Sequence, residues 1–243
     1  MNTDRIAAAF PAQNLHTLKA HTAGRNGTLI AVILDESGSM EVCRDATIAG
    51  FNEFVQGQKN AQGAGEAYLT LVKFDAPQIK TVYENMHVSE APLLDRETYT
   101  PMGGTNLMDA IGETLTKINH TLESHRQEDR PAVLVVIITD GAENSSREFR
   151  GEQIKQMVKS AEASDWCFTF LGANVDAFGM GSTFGMNAAN TINYSTASMA
   201  ATMDVLSKAT VGVRAAKMQG VSTADLYSNS LYSNVDRSRT MGQ

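Results

Sequence analysis

The chain has few of the residues that characterise secreted, membrane-spanning or zinc-binding proteins. Only two cysteines, Cys43 and Cys167, occur among its 243 residues. They are too few for a framework of disulfides and favour a reducing compartment. No apolar run approaches the ~20 residues that a transmembrane helix needs. Residues 1–13 lack a basic stretch followed by an apolar one, so we expect no secretory signal and a cytoplasmic location.

Positive charge is also scarce. The chain has 20 Lys and Arg against 27 Asp and Glu, which gives a formal net charge of −7. A protein that binds duplex nucleic acid usually has a basic face, and here the basic residues are scattered. We therefore expect no nucleic-acid partner. The five histidines show no ligand spacing with the cysteines, which argues against a zinc site.

Signatures of nucleotide-binding enzymes and of serine hydrolases are missing. The sequence has no GxxxxGK[ST] loop and no GxGxxG turn. No histidine–aspartate pairing can be recognised that would activate a serine. These absences argue against a phosphate-binding loop enzyme, a dinucleotide-binding enzyme and a serine hydrolase.

Short apolar runs alternate with segments of helical periodicity. Strands are predicted at 28–34, 68–74, 79–83, 133–139, 166–171 and 191–194, and helices at 41–59, 106–122, 152–163 and 196–218, with a further short helix within 172–185. The more polar 79–83 run follows a turn at Pro77, which indicates a hairpin at the sheet edge. The pattern predicts an α/β fold, a Rossmann-like three-layer sandwich with a mostly parallel central sheet, one antiparallel edge strand and helices on both faces.

The expected domain organisation has three parts. Residues 1–24 are predicted to form an N-terminal arm, residues 25–218 the α/β domain, and residues 219–243 a polar, flexible tail. The tail has an alternative interpretation as a docking peptide that uses Tyr227, Leu231 and Tyr232.

Oxygen-bearing side chains follow two of the predicted strands. The first group comes directly after the apolar run 29–34, and another acid follows the run 133–138. Because right-handed crossovers bring the carboxyl ends of parallel strands to one edge of the sheet, these groups should converge. A glycine loop at 103–106 adds a further hydroxyl. The candidate metal ligands are Asp35, Ser37, Ser39, Thr105 and Asp140.

These three segments, in this order, resemble the metal-ion-dependent adhesion site (MIDAS) of the von Willebrand factor A (vWA) family. The family pattern is Asp-x-Ser-x-Ser, then a threonine in a glycine loop, then an aspartate after a later strand, and all five positions match. The resemblance covers roughly residues 25 to 218 and implies a vWA-like fold. It also implies that the serines bind the ion directly, while the threonine and the aspartates bind it directly or through water. Small, hydroxyl-rich sites favour Mg²⁺ or Mn²⁺ over Ca²⁺.

The resemblance further implies a non-enzymatic module that captures an acidic residue of a protein partner through the metal. Similar proteins act beside AAA+ ATPases, or in stress, phage and assembly systems. An AAA+ ATPase is therefore one expected class of partner, and no membrane is expected. The resemblance also implies a switch that couples the metal site to the last helix, 196–218.

Two alternatives remain open from the residues alone. One is a Mg²⁺-dependent phosphohydrolase with Asp35 as nucleophile, although that class usually has an acid where Ser37 stands. The other is a structural component of an assembly. Each segment also has a local interpretation, since serines cap helices and Asp140-Gly141 suits a plain turn. Three nearby acids, Glu36, Asp109 and Glu143, are expected to be solvated or supporting.

Overall fold

The computed structural model describes residues 27–173, 176–228 and 230–242. The predicted N-terminal arm, 1–24, lies outside these residues. A six-stranded sheet forms the middle layer, with the strand order β3-β2-β1-β4-β5-β6. The strands are β1 Gly27–Asp35, β2 Glu66–Asp75, β3 Gln78–His87, β4 Ala132–Thr139, β5 Cys167–Ala173 and β6 Thr191–Tyr194.

Helices cover both faces of the sheet. They are α1 Arg44–Asn60, α2 Leu107–Glu123, α3 Gly151–Ala163, α4 Ala177–Thr183, α5 Met199–Met218, α6 Thr223–Ser228 and α7 Asn234–Thr240. In the described part of the chain, no helix is long and apolar enough to cross a bilayer.

Strand β1 is the centre of the sheet. It pairs in parallel with β2 on one side and with β4 on the other, and all nine of its residues are buried. Among the strands of the described residues, β3 alone runs antiparallel, paired with β2 at the edge of the sheet. The predicted mostly parallel sheet with one antiparallel edge strand is confirmed.

Alternate residues of β1 face two separate hydrophobic cores, as the two-residue period of a strand requires. Ile30 and Val32 join a core with apolar residues of α1 and α5. Ala31 and Ile33 face the opposite core, which includes residues of α2 and α3. This arrangement is a three-layer sandwich, and it fixes the position of whatever follows β1.

The start of α1 differs from the sequence prediction. The helix was expected from residue 41, but Gly38–Cys43 form a 3-10 segment and α1 begins at Arg44. The tighter segment turns the chain immediately after β1. Ser39 therefore lies in this turn at the sheet edge, five residues before α1 begins.

The segment 219–243 departs from the prediction of a flexible tail. Its described residues include α6 and α7, and Tyr232 is only 2% exposed. Arg237 donates hydrogen bonds to the carbonyl oxygens of Thr191 (2.6 Å) and Ala189 (2.9 Å). The segment is held against the sheet by these polar contacts, by Tyr232 in the hydrophobic core and by Leu231 packed against that core, so its mostly polar composition does not reveal the packing.

Candidate metal site

The candidate site lies where β1 and β4 end. These adjacent parallel strands are in register, with Leu34 opposite Ile138. Asp35 is the last residue of β1, and Asp140 directly follows β4. The two aspartates therefore reach the same edge of the sheet from neighbouring strands, as the sequence predicts.

Asp35 is fully buried at this edge. Its Oδ1 accepts a hydrogen bond from the Ser37 backbone N–H (2.7 Å), and its Oδ2 accepts one from the Thr139 hydroxyl (2.6 Å). Burial raises the pKa of Asp35 from 3.8 to about 6, because loss of hydration outweighs these hydrogen bonds, and the charge of Asp140 adds to the rise.

A chain of hydroxyl groups connects the two acids. The Oγ atoms of Ser37 and Ser39 are 3.2 Å apart, and Ser39 donates a hydrogen bond to Asp140 Oδ1 (2.6 Å). Burial also raises the pKa of Asp140. Four of the five predicted ligands thus belong to one continuous group of oxygen atoms.

Thr105 joins the same group from the glycine loop. A methyl group at Gly141 would lie 2.9 Å from Thr105 Oγ1 and 3.5 Å from Ser39 Oγ, so these two hydroxyls flank one point. The Thr105 backbone is held on both sides. Its N–H donates to Asn144 Oδ1 (3.0 Å), and its carbonyl accepts from the Asn144 N–H (3.0 Å).

The glycine loop at 103–106 is also hydrogen-bonded to the 3-10 segment that follows β1. The Gly38 N–H donates to the Gly103 carbonyl (3.2 Å). Gly103 has a φ of +70°, and a methyl group there would lie 2.7 Å from the Ala76 carbonyl oxygen. Glycine is required at this position both by the backbone conformation and by the close approach.

All five predicted residues therefore lie together. The local alternative for Ser37 does not hold, because it precedes the 3-10 segment without making a side-chain cap. That these five side chains bind a metal remains a prediction, and their convergence is what the structure adds to it.

Sequence reasoning missed several residues that shape the site. The Tyr99 hydroxyl donates to the Asp35 carbonyl oxygen (2.6 Å), from 64 residues away. Thr139, which binds the Asp35 carboxylate, was predicted only as the end of a strand. Its position directly before Asp140 was a usable signal, whereas nothing in the sequence indicates Tyr99.

Glu36 and Lys73 form a buried ion pair beside the site, with Lys73 Nζ 2.6 Å from Glu36 Oε1. Lys73 also donates to the Thr98 carbonyl (2.5 Å), and Glu36 Oε1 accepts from the Thr100 N–H (2.6 Å). The pair therefore ties the loop that leads to Thr105 to the ends of β1 and β2. Of the two expectations for Glu36, the supporting role fits these contacts.

The other two acids organise the loop after Asp140. Asp109 accepts hydrogen bonds from the backbone N–H groups of residues 147, 148 and 149. Glu143 accepts from the Met108 N–H at the start of α2 (2.8 Å). Both carboxylates support the loop around the site and are not simply solvated.

The donor set fits a hard divalent cation. Asp35 and Asp140 are two buried carboxylates close together, and among the ion pairs of the described residues none includes either one. Buried charge of one sign is unfavourable until a counter-charge is supplied, and the surrounding hydroxyl oxygens are ligands that Mg²⁺ and Mn²⁺ accept. The described residues contain no group of three or more His, Cys, Asp or Glu that could hold a metal, so any site here depends on hydroxyls.

Comparisons by sequence identify no relative. No family model matches the chain, and no curated protein does.

Comparison by structure gives many similar proteins. Proximal thread matrix protein 1 (PTMP1) from the mussel byssus, with a zinc-occupied MIDAS motif, is 13% identical with a TM-score of 0.54 over 76% of this chain and 46% of that one. Manganese-loaded Plasmodium vivax TRAP protein is 16% identical with a TM-score of 0.50 over 73% of this chain and 72% of that one. The pilus adhesin SpaC from Lactobacillus rhamnosus GG is 14% identical with a TM-score of 0.58 over 76% and 30%.

At these identities the likeness concerns the fold. The chain spans just under half the length of PTMP1, at 46%. The three neighbours are vWA-domain proteins, and two of them were solved with a divalent metal. This chain therefore has the vWA-like fold that its sequence predicts.

Proposed function

We propose that this chain is a divalent-metal-dependent protein interaction module. Asp35, Ser37, Ser39, Thr105 and Asp140 would hold Mg²⁺ or Mn²⁺, with Ca²⁺ less favoured. The observation that supports this most is the pair of buried carboxylates, joined through serine hydroxyls and lacking an ion-pair partner among the described residues. The metal-loaded vWA neighbours support the same proposal.

The proposed partner offers an aspartate or a glutamate to the metal. Three of the five ligands are neutral hydroxyls, so a bound divalent ion is not surrounded by anions and can attract a further carboxylate. The site is also reachable. Gly38 and Ser39 are exposed, and Met102 beside the glycine loop is 61% exposed. An exposed rim of this kind suits contact with another protein.

The geometry favours binding over phosphohydrolase chemistry. A nucleophilic Asp35 would have to present a free oxygen to a substrate. Here the carboxylate is fully buried, so a substrate phosphorus cannot reach it, whereas an ion at the more exposed serine hydroxyls can be held by it through water. Adhesion and matrix proteins among the structural neighbours are consistent with a non-enzymatic role.

The metal-binding part of the proposal is tested by calorimetry on the full chain after removal of metal with EDTA. We expect the wild type to bind one Mn²⁺ or Mg²⁺ per chain. Ser37→Ala and Asp140→Asn should weaken binding by at least about tenfold, since each removes a direct ligand or a charge. The control Glu128→Gln, at an exposed position, should bind as the wild type does. Equal affinities in all four proteins would refute the assignment.

The partner class and the cytoplasmic location are part of the same proposal. The free, buried Cys43 and Cys167 support a reducing compartment. Affinity capture from the native source, with Mg²⁺ or with EDTA, should retain the partner only with Mg²⁺ and only on a bait with intact Ser37. An AAA+ ATPase in that fraction would support the predicted class, and capture that persists with EDTA would count against a metal-bridged contact.

A further inference from the structure

The sheet of the described residues has two outer edges, and they are protected in different ways. A strand at an edge has unpaired N–H and C=O groups that can bond to another chain, so natural proteins interrupt such edges with charges or bulges, or cover them. At one edge, β3 carries Lys80 and Glu84, and its register against β2 shifts twice. At the other edge, β6 has the sequence Thr-Ile-Asn-Tyr, without charge or proline. Apart from its shortness, β6 therefore depends on other residues for protection.

The outer side of β6 is covered by α7. The carbonyl oxygen of Thr191 accepts a hydrogen bond from the Arg237 guanidinium (2.6 Å), and that of Asn193 accepts one from the Thr240 hydroxyl (2.9 Å). Directly after β6, the Ser195 N–H donates to the Thr240 carbonyl oxygen (2.9 Å). Alternate residues of a strand direct their backbone groups to the same side, so these are the groups to which a further strand would bond. A helix satisfies them instead.

The contacts of α7 are separate from those that hold the preceding residues in the core. Apart from Thr240, no residue of α7 is buried. Arg239 of α7 pairs with Asp204 of α5 (2.8 Å), but both side chains are partly exposed, where ion pairs contribute little. Tyr232 comes before α7, is 2% exposed and donates to the Thr169 hydroxyl (3.3 Å). The helix can therefore leave the edge while Tyr232 stays in place.

We propose that the outer edge of β6 is a pairing surface for a second copy of this chain, and that α7 blocks it. With α7 displaced, Thr191 and Asn193 direct their N–H and C=O groups outward. Two such edges related by a twofold axis are complementary in the antiparallel sense, because each residue can both donate and accept. Threonine, isoleucine and tyrosine also favour the extended backbone that pairing needs. Pairing joins the two sheets into one and leaves the candidate metal site, at the ends of β1 and β4, uninvolved.

The test compares two full-length variants at one exposed position of α7. Ser238→Pro removes a helical N–H and introduces a clash with the preceding turn, so α7 should not form. Ser238→Ala keeps the helix and is the matched control. In EDTA and a thiol reductant, light scattering should show the molar mass of Ser238→Pro rising with concentration to twice that of Ser238→Ala. The full-length double variant Arg237→Met/Thr240→Val removes both side-chain donors without breaking the helix, and should associate more weakly.

Hydrogen exchange of the Ser195 amide shows where the two copies meet. This amide should exchange slowly in Ser238→Ala, rapidly in dilute Ser238→Pro, and slowly again at concentrations where Ser238→Pro associates. The proposal is overturned if neither Ser238→Pro nor the double variant associates. It is also overturned if the Ser195 amide exchanges at the control rate in both variants, because α7 would then not cover the edge. Association that leaves this amide unprotected would place the contact elsewhere and equally overturn it.

Discussion

Replacing Asp35 with asparagine should remove a pH-dependent loss of stability from the metal-free protein. Burial raises the pKa of Asp35 from 3.8 to about 6. Between about pH 4 and pH 6 the folded protein therefore holds a proton that the unfolded chain has released. Stability from this group is complete near pH 4 and is lost as the pH rises through about 6. The difference between the two pKa values corresponds to about 3 kcal/mol at pH 7.

The introduced asparagine is neutral at every pH, and its side-chain oxygen can still accept the hydrogen bond from the Ser37 N–H. We therefore compare the free energy of unfolding of the wild type with that of Asp35→Asn. The difference, wild type minus variant, should fall by up to about 3 kcal/mol between pH 4 and pH 7. Urea unfolding in EDTA, followed by circular dichroism at several pH values, measures this difference. At pH 7, Mg²⁺ at a hundred times its Kd should restore about 2.7 kcal/mol to the wild type. The same addition should leave the variant unchanged. A difference that stays constant, or that rises with pH, would refute the reasoning.

Three further predictions concern the surroundings of the site. Gly141→Ala places a methyl group 2.9 Å from Thr105 Oγ1 and should weaken Mn²⁺ binding in calorimetry. The free energy of unfolding should fall by no more than about 3 kcal/mol. An unchanged Mn²⁺ affinity would show that the Thr105 hydroxyl does not contribute to metal binding. Lys73→Met leaves the buried Glu36 carboxylate without its partner and should lower the free energy of unfolding in urea by about 3–5 kcal/mol. Adding Glu36→Gln should recover most of this loss. A double variant as unstable as the single one would contradict this expectation. Tyr232→Ala should cost about 3–5 kcal/mol by the same assay, because the ring is buried in the core, whereas a negligible effect would favour a loosely held tail.

The sheet and the site could be predicted because their signals are local. An apolar run such as residues 29–34 can be buried on both faces only in the middle of a sheet, and a parallel sheet directs the ends of its strands to one edge. Once Asp35 and Asp140 were placed after such runs, their convergence followed from topology. The motif then needed only one hydroxyl from a glycine loop, which Thr105 supplies.

The supporting contacts could not be predicted because they join residues far apart in the chain. Lys73 lies on β2 and contacts Glu36 only because β2 pairs with β1, which Glu36 directly follows. Tyr99 bonds to Asp35 from a loop without periodicity. The tail was judged by composition, yet Arg237 binds backbone carbonyl groups near β6. Side-chain to backbone bonds of this kind leave no pattern of apolar residues to detect, and the apolar Leu231 and Tyr232, which pack with this chain's own core, are too few to set a periodicity.

The central claim is that five side chains from three separate segments hold one divalent ion. An anomalous difference map from crystals grown with Mn²⁺ tests this most directly. The account predicts a single strong peak within coordination distance of the Ser37 and Ser39 hydroxyl oxygens, beside Thr105, Asp35 and Asp140. A map from fully Mn²⁺-loaded crystals with no peak at this edge of the sheet, or with its only peak elsewhere, would contradict it.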